Sequence, residues 1–231
     1  MYKIAYLAAG LVLLTTIACK KKKTPETPAA YVWAEGTGPY APYTLGSTFT
    51  YETQSTAPVA TDSFTYTVTK DTTIDGAKYK KLESNKPALA STFYCNYSNS
   101  QRTEITYNGN FGGVAITTLK QVVLKDAVPA TTAWVETINV NVPIQPPIVI
   151  PVTVSFNYTI TQKDFTKTIL TKDYTKVIQV KQVASVPASL PLPVGTPNSI
   201  QLDNYFASEV GIAQRDLPNS SIKVKRVNVI K

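Results

Sequence analysis

The residues whose types and spacing could do chemistry stand near the start of the chain. Thr16-Ile17-Ala18-Cys19 places a small residue directly before a thiol, which is the form of a lipobox, with Thr16 standing where leucine is usual. A small side chain lets a signal peptidase reach the peptide bond, and only a thiol can take diacylglycerol as a thioether. Cleavage then frees an α-amino group on the same cysteine for an N-acyl chain. Lys3 supplies a positive n-region, and Ile4 to Ile17 form an apolar run. That run is shorter than the roughly 20 residues of a membrane-spanning helix and fits a secretory segment of about 7 to 15. Residues 1–18 are therefore expected to be a lipoprotein signal peptide and Cys19 the lipidated N-terminus. The alternative is an ordinary signal peptide in which Cys19 is incidental.

Beyond Cys19 the inventory is thin. The chain has no histidine, which removes Ser-His-Asp and Cys-His catalysis, histidine metal sites and the usual general base near neutral pH. Once Cys19 carries lipid, Cys95 is the remaining thiol, so neither a zinc-thiolate site nor an intramolecular disulfide can form. Cys95 lies in STFYCNY, a strand-like context, and is expected to be a small buried hydrophobe. Asp71-Thr-Thr-Ile-Asp75-Gly76 lacks the middle and distal ligands of a calcium loop and reads as a hairpin turn. Gly109, Gly112 and Gly113 in YNGNFGGV read as a turn rather than a phosphate loop. Ser220-Ser-Ile-Lys223 fits a Ser-x-x-Lys string but precedes a strand pattern instead of a helix. Two carboxylates could still make a glycosidase, with Glu52, Glu83, Glu104, Glu136 and Glu209 as candidates. No enzyme motif, metal site or cofactor site is expected apart from the covalent diacylglycerol and N-acyl lipid of Cys19.

Charge narrows the partners. The formal charge of +8 falls largely on Lys3 and the run Lys20 to Lys23, leaving 18 basic against 15 acidic residues in the remainder. No basic stripe with interleaved aromatics is present, so nucleic acid is not expected as a partner. Four lysines beside acyl chains suit a membrane surface, and the TPETPAA stretch after them reads as a tether. The tether is assigned to residues 19–43 and the folded domain to residues 44–231.

The elements that must position any site are strands. Thr, Val, Ile, Tyr and Phe dominate, and they alternate with polar residues in Phe64-x-Tyr66-x-Val68, Val152-x-Val154-x-Phe156 and similar runs. Alternation of this kind marks strands with one buried face, so the domain is expected to be all-β and antiparallel. An internal repeat organises it. FTYTVT at 64–69 recurs as FNYTIT at 156–161, followed by KYKKLES and DYTKVIQV. GSTFTYE and TTAWVET precede the two copies, and FYCNYSNSQRTEI and NYFASEVGIAQRD come after them. Two similar β-meander halves, about 44–128 and 129–231, would join into a curved sheet (a half-barrel) or a sandwich.

The second half carries two proline-rich, uncharged segments, at 142–152 and 186–197, which must be edge or loop. Their Ile144, Ile148, Val149, Ile150, Leu190, Leu192 and Val194 either pack over an open end of the sheet or form an apolar rim for a ligand, partner or membrane.

Taken together, the signal ending in Cys19 before a lysine run, the TYTVTKDTTIDGAKYKKL hairpin and the later NYFASEVGIAQRD segment resemble uncharacterised envelope lipoproteins of Bacteroidetes-type bacteria. The resemblance covers most of the chain after Cys19, with Ala77 inserted between Gly76 and Lys78. It implies a lipid-anchored protein of the cell envelope, in the outer membrane, of unknown role. The expected function is non-enzymatic binding of a hydrophobic ligand or an envelope protein partner. The alternative is a cell-surface carbohydrate-binding or glycan-processing lipoprotein, suggested by 14 tyrosines whose rings could stack on sugars.

Overall fold

The computed structural model describes residues 31–56, 58–111, 114–145, 148–187 and 197–230. The chain divides between Val32 and Trp33, and the folded unit begins at Trp33. Cys19 and the expected signal peptide lie outside the described residues.

Twelve strands follow one another: β1 (Thr48–Thr56), β2 (Val59–Ile74), β3 (Ala77–Ser84), β4 (Phe93–Ser98), β5 (Gln101–Phe111), β6 (Val114–Lys125), β7 (Ala133–Gln145), β8 (Ile148–Ile169), β9 (Lys172–Ser185), β10 (Ser199–Ala207), β11 (Gly211–Leu217) and β12 (Ser220–Asn228). All belong to a single antiparallel sheet with the order β6-β5-β4-β3-β2-β1-β12-β11-β10-β9-β8-β7. The all-β expectation holds, and the choice between a curved sheet and a sandwich falls to one curled sheet. Each half of the sequence repeat is a six-strand meander, and the meanders join where β1 pairs with β12 from Thr48↔Asn228 to Ser55↔Ser220. FTYTVT and FNYTIT occupy the second strand of each meander, as Phe49 and Trp134 occupy the first.

This order puts the middle of the chain at the sheet's two edges. β6 and β7 come together without a ladder of their own, and side chains make the seam. The Trp134 indole Nε1 donates to the Val122 carbonyl at 2.8 Å, and Lys125 Nζ stands 5.3 Å from the Trp134 ring centroid. Lys163 Nζ donates to the carbonyls of Asp126 and Val128 in the connecting loop. The result is a nearly closed barrel. Curvature comes from register breaks at Thr50/Tyr51, Val68/Lys70, Arg102/Thr103 and Tyr205/Phe206, where an extra residue bends the strand.

Because every connection except that from β6 to β7 joins ladder partners, the loops fall at two ends. Tight turns close one end: Asp75-Gly76 and Asn99-Ser100 both have positive φ at the two central positions, the geometry that matches strand twist. The other end carries longer connections, including residues 85–92 and 186–198. There the hairpins β5–β6 and β7–β8 overshoot their neighbours. β4 reaches β5 only to Thr106, and β9 reaches β8 only from Ser155, so the far parts of both hairpins pair only with themselves. The proline-rich segment 142–152 is thus an edge ribbon. Pro143 lies on the edge strand β7, and Pro151 lies where β8 has no second partner, positions that need no ladder N–H from proline.

The tether assignment to residues 19–43 requires correction. Residues 33–47 turn into the tight-turn end and plug it: Tyr40, Ala41 and Tyr43 are buried. Three aromatic or apolar side chains on a short segment favour burial over solvent by several kcal/mol, at about 1.5–3 kcal/mol for a fully buried large side chain. Backbone bonds fasten the plug on several sides, from the Tyr97 amide to the Gly36 carbonyl, from the Glu209 amide to the Pro39 carbonyl, and between Gly46 and Val68.

The seam yields a test. Trp134→Phe keeps most of the apolar area but strands the Val122 carbonyl, and should lower the urea-unfolding free energy by about 1–2 kcal/mol. Val135→Ala, on the outward and exposed neighbour, should change it by less than about 0.5 kcal/mol. Equal effects would mean that the seam does not depend on the indole bond.

Candidate functional site

The interior is where charge and cavity coincide. Arg102 points inward from β5 and is 0% exposed. An unpaired guanidinium there would be prohibitively costly, and the surroundings meet it group by group. Nε and Nη2 donate to Glu104 Oε1 at 2.8 and 2.6 Å, Nη1 donates to the Tyr40 carbonyl at 2.7 Å, and Nη2 also donates to the Tyr43 hydroxyl at 2.8 Å. The rings of Tyr43 and Phe206 face the guanidinium at 4.9 and 5.5 Å, adding cation–π attraction. Gly211 is required beside it. With φ at +86°, a Cβ there would fall 2.6 Å from the Tyr43 hydroxyl and 2.9 Å from Arg102 Nη1.

Beyond this cluster, toward the end with longer loops, lies a cavity of about 250 Å³. One part of its wall is aromatic and aliphatic: Tyr51 and Phe64 stack at 5.4 Å, Tyr66 meets Phe93 edge-on, and Ile212 and Ile222 continue it along the neighbouring strands β11 and β12. Leu89, Ala90 and Ser91 of the β3–β4 loop form the mouth, tied down by the Tyr66 hydroxyl donating to the Ser91 carbonyl. Alternation explains the wall. Tyr51 and Phe64 are directly paired across β1 and β2, and both belong to the inward set that the sequence shows as period-two hydrophobes.

The charged wall residues are Glu104 and Arg215. Glu104 is held by Arg102. Arg215 Nε donates to Asn204 Oδ1 at 2.7 Å, and the buried Asn204 is itself fixed by the Gln182 side chain. Near these two charges sits the Tyr158 hydroxyl, buried and without a hydrogen-bond partner, its ring stacked on Trp134 at 5.2 Å. Burial raises its pKa first of all, the Glu104 charge raises it further and the Arg215 charge opposes both.

Among the apolar rim residues expected from sequence, Ile150 is exposed. Ile144, Ile148 and Val149 belong to β7 and β8 by backbone, and their side chains lie outside the described residues, as do Leu190, Leu192 and Val194 altogether. Ile150 does not line the cavity. Glu52 and Glu83 accept from lysines on the outer surface, and Glu104 alone of the five candidate carboxylates faces the cavity. Half of the twelve described tyrosines, Tyr40, Tyr43, Tyr51, Tyr79, Tyr158 and Tyr174, are buried and present no ring to a glycan. The outward pair Tyr94 and Tyr107 meets at 85°, which offers no flat stacking row. Among the described residues no group of three or more metal-ligating side chains is assembled.

Sequence reasoning passed over the arginines, although a signal was present. The matched segments FYCNYSNSQRTEI and NYFASEVGIAQRD each contain Gln-Arg, and the structure places Arg102 and Arg215 on the fifth strand of their respective meanders.

Two outcomes check this electrostatic account. Arg102→Met should lose about 3–5 kcal/mol of unfolding free energy, since Glu104 is left without its partner, whereas Lys86→Met on an exposed pair should lose less than about 1 kcal/mol. Burial pushes the Cys95 thiol up to about 12, and burial likewise raises Tyr43 and Tyr51 above the usual tyrosine value. Above the unfolded cysteine value near 8.5 the unfolded chain releases protons that the folded chain keeps, so stability is full below about pH 8 and declines as pH rises toward 12. Urea midpoints between pH 8 and 11 should fall steadily, with a smaller slope in Cys95→Ala. A flat profile would contradict it.

No family model and no curated protein matches the chain. Among solved structures, the chain is similar to a presumed exported protein with a YmcC-like fold from Bacteroides fragilis, at 10% identity, covering 84% of this chain and 100% of that one, with a TM-score of 0.44.

Proposed function

We propose that this protein is a lipid-anchored component of the cell envelope whose barrel holds a small apolar ligand without transforming it. The cavity between Tyr51, Phe64, Tyr66, Phe93 and the two isoleucines carries the reading. A concave space in which aromatic walls meet a few convergent polar groups is a form that ligand sites take. Its groups suit binding rather than catalysis. Glu104 is engaged by Arg102, burial holds the protons of Tyr51 and Tyr66, and among the described residues of the wall no nucleophile is hydrogen-bonded to a base. Size sets the scale of the occupant. At about 250 Å³ the space is below the roughly 300–1,000 Å³ of drug-sized sites, yet above the roughly 150 Å³ that accepts benzene in other proteins. A single ring or a short branched chain fits this volume, whereas a whole lipid does not.

The anchoring half of the proposal rests on Thr16-Ile17-Ala18-Cys19 and the lysine run behind it. A thioether-linked diacylglycerol and an N-acyl chain on Cys19 hold the protein to the membrane permanently, since two anchoring signals already suffice for stable attachment. The outer membrane is the proposed site, on its periplasmic face.

Cys19→Ala should shift the protein from the membrane fraction to the soluble fraction of the envelope, and retention at the membrane would overturn the anchor. Ligand binding is read by calorimetric titration of the full-length protein in maltoside micelles with 3-phenylpropan-1-ol, with micelles alone as the blank. Ala90→Trp, which fills the mouth from a loop, should weaken that binding at least about tenfold, roughly the loss of one buried ring's contacts. Undiminished binding in that variant would move the site elsewhere.

A further inference from the structure

The repeat sends one inward arginine from each meander, and the two meet different fates. Arg102 is neutralised by Glu104 and satisfied on every side by the plug. Its counterpart Arg215 lines the cavity, and among the described residues no carboxylate lies within ion-pair distance of it. The next residue, Asp216, accepts instead from Gln214. Arg215 is oriented rather than neutralised: Asn204 accepts from Nε, which aims the planar end of the guanidinium and leaves the Nη groups for another acceptor. The polar centre composed of Arg102, Glu104 and Arg215 therefore carries one positive charge in excess, beside an apolar wall. Glu136, also near Tyr158, contributes a negative charge from β7 but does not belong to the cavity wall.

Resting on the cavity reading above, we infer that the ligand is a small monocarboxylate with an aromatic or branched apolar tail, bound with its carboxylate on Arg215 and its tail between Tyr51, Phe64 and Phe93. Carboxylate matches the fork of guanidinium donors in a way that an alcohol or amide cannot. The unpartnered Tyr158 hydroxyl lies buried in the field of both Arg215 and Glu104 but, like Glu136, does not belong to the cavity wall. Glu104 does not repel the anion strongly because its own charge is taken up by two hydrogen bonds from Arg102.

The test compares two probes of one shape, 3-phenylpropionate and 3-phenylpropan-1-ol, titrated into the full-length protein at neutral pH. The carboxylate should bind about ten- to a hundredfold more tightly, the range of a charge-assisted hydrogen bond in a desolvated site. Arg215→Gln should abolish the difference by weakening the carboxylate at least about tenfold, and Arg215→Lys should retain part of the preference, since it keeps the charge and loses the fork. Circular dichroism and the thermal midpoint confirm that both variants are folded. Equal binding of the two probes by the unaltered protein overturns the carboxylate assignment and leaves the cavity reading intact, whereas failure of both probes to bind overturns the two together. A preference that survives in Arg215→Gln removes Arg215 from the role.

Discussion

A guanidinium with no exposure to solvent is the constraint around which this barrel is organised. Arg102 can stay charged in the interior only if its donors are met, and the groups that meet them come from distant parts of the chain: Glu104 on its own strand, Tyr40 and Tyr43 in the plug, and the Phe206 ring across the barrel. Removing any one of them exposes the cost that the others share. The plug is therefore fixed in place by polar satisfaction as much as by burial of its aromatic rings. Gly211 belongs to the same arrangement, because no side chain fits between β11 and the Tyr43 hydroxyl. A buried polar network of this kind also discriminates among packings, since a slip of one residue in β5 would turn Arg102 outward and strand its partners.

The cavity is a by-product of that arrangement. One end of the barrel is filled by residues 33–47, and two meanders curling around that plug leave space at the other. The lining is aromatic because β1 and β2 supply their inward set there, and it is charged where β5 brings in Glu104 and β11 brings in Arg215, the counterpart of Arg102. The same structural repeat thus produces a closed, satisfied centre in one half and an accessible one in the other. What differs is the occupant of the space next to each arginine.

Much of the fold was legible in the sequence because its signals are local. Val152, Val154, Phe156, Tyr158 and Ile160 alternate with polar residues and are all buried, as a half-buried strand requires. Asp75-Gly76 is a turn for the reason its residue types suggest. The plug was not legible, since Tyr40 to Tyr43 sit among prolines and glycines with no period to betray an inward face. Its burial is decided by Arg102, sixty residues away in sequence. The proline-rich apolar residues drew attention for their composition, while the cavity is built from ordinary strand residues whose convergence depends on pairing β1 with β12. Gln101-Arg102 and Gln214-Arg215 were visible as part of the repeat, but an arginine in a strand gives no sign of which face it takes until the register is known.

That register carries a consequence for the order in which the molecule can be made. Contacts between neighbouring hairpins are local and can form as soon as each strand pair exists, but β1 meets its second partner only when β12 arrives. Until then the first meander holds a nine-residue strand with an open edge, of the kind that invites pairing with other chains, and its completion waits on β12. Closing so long a loop is slow more than it is costly, because loop-closure entropy rises only logarithmically while folding rate falls with contact separation. β12 is in this sense the keystone of the barrel. A chain cut short before Ser220 would keep every other strand and still present an unguarded edge at the centre of its sheet.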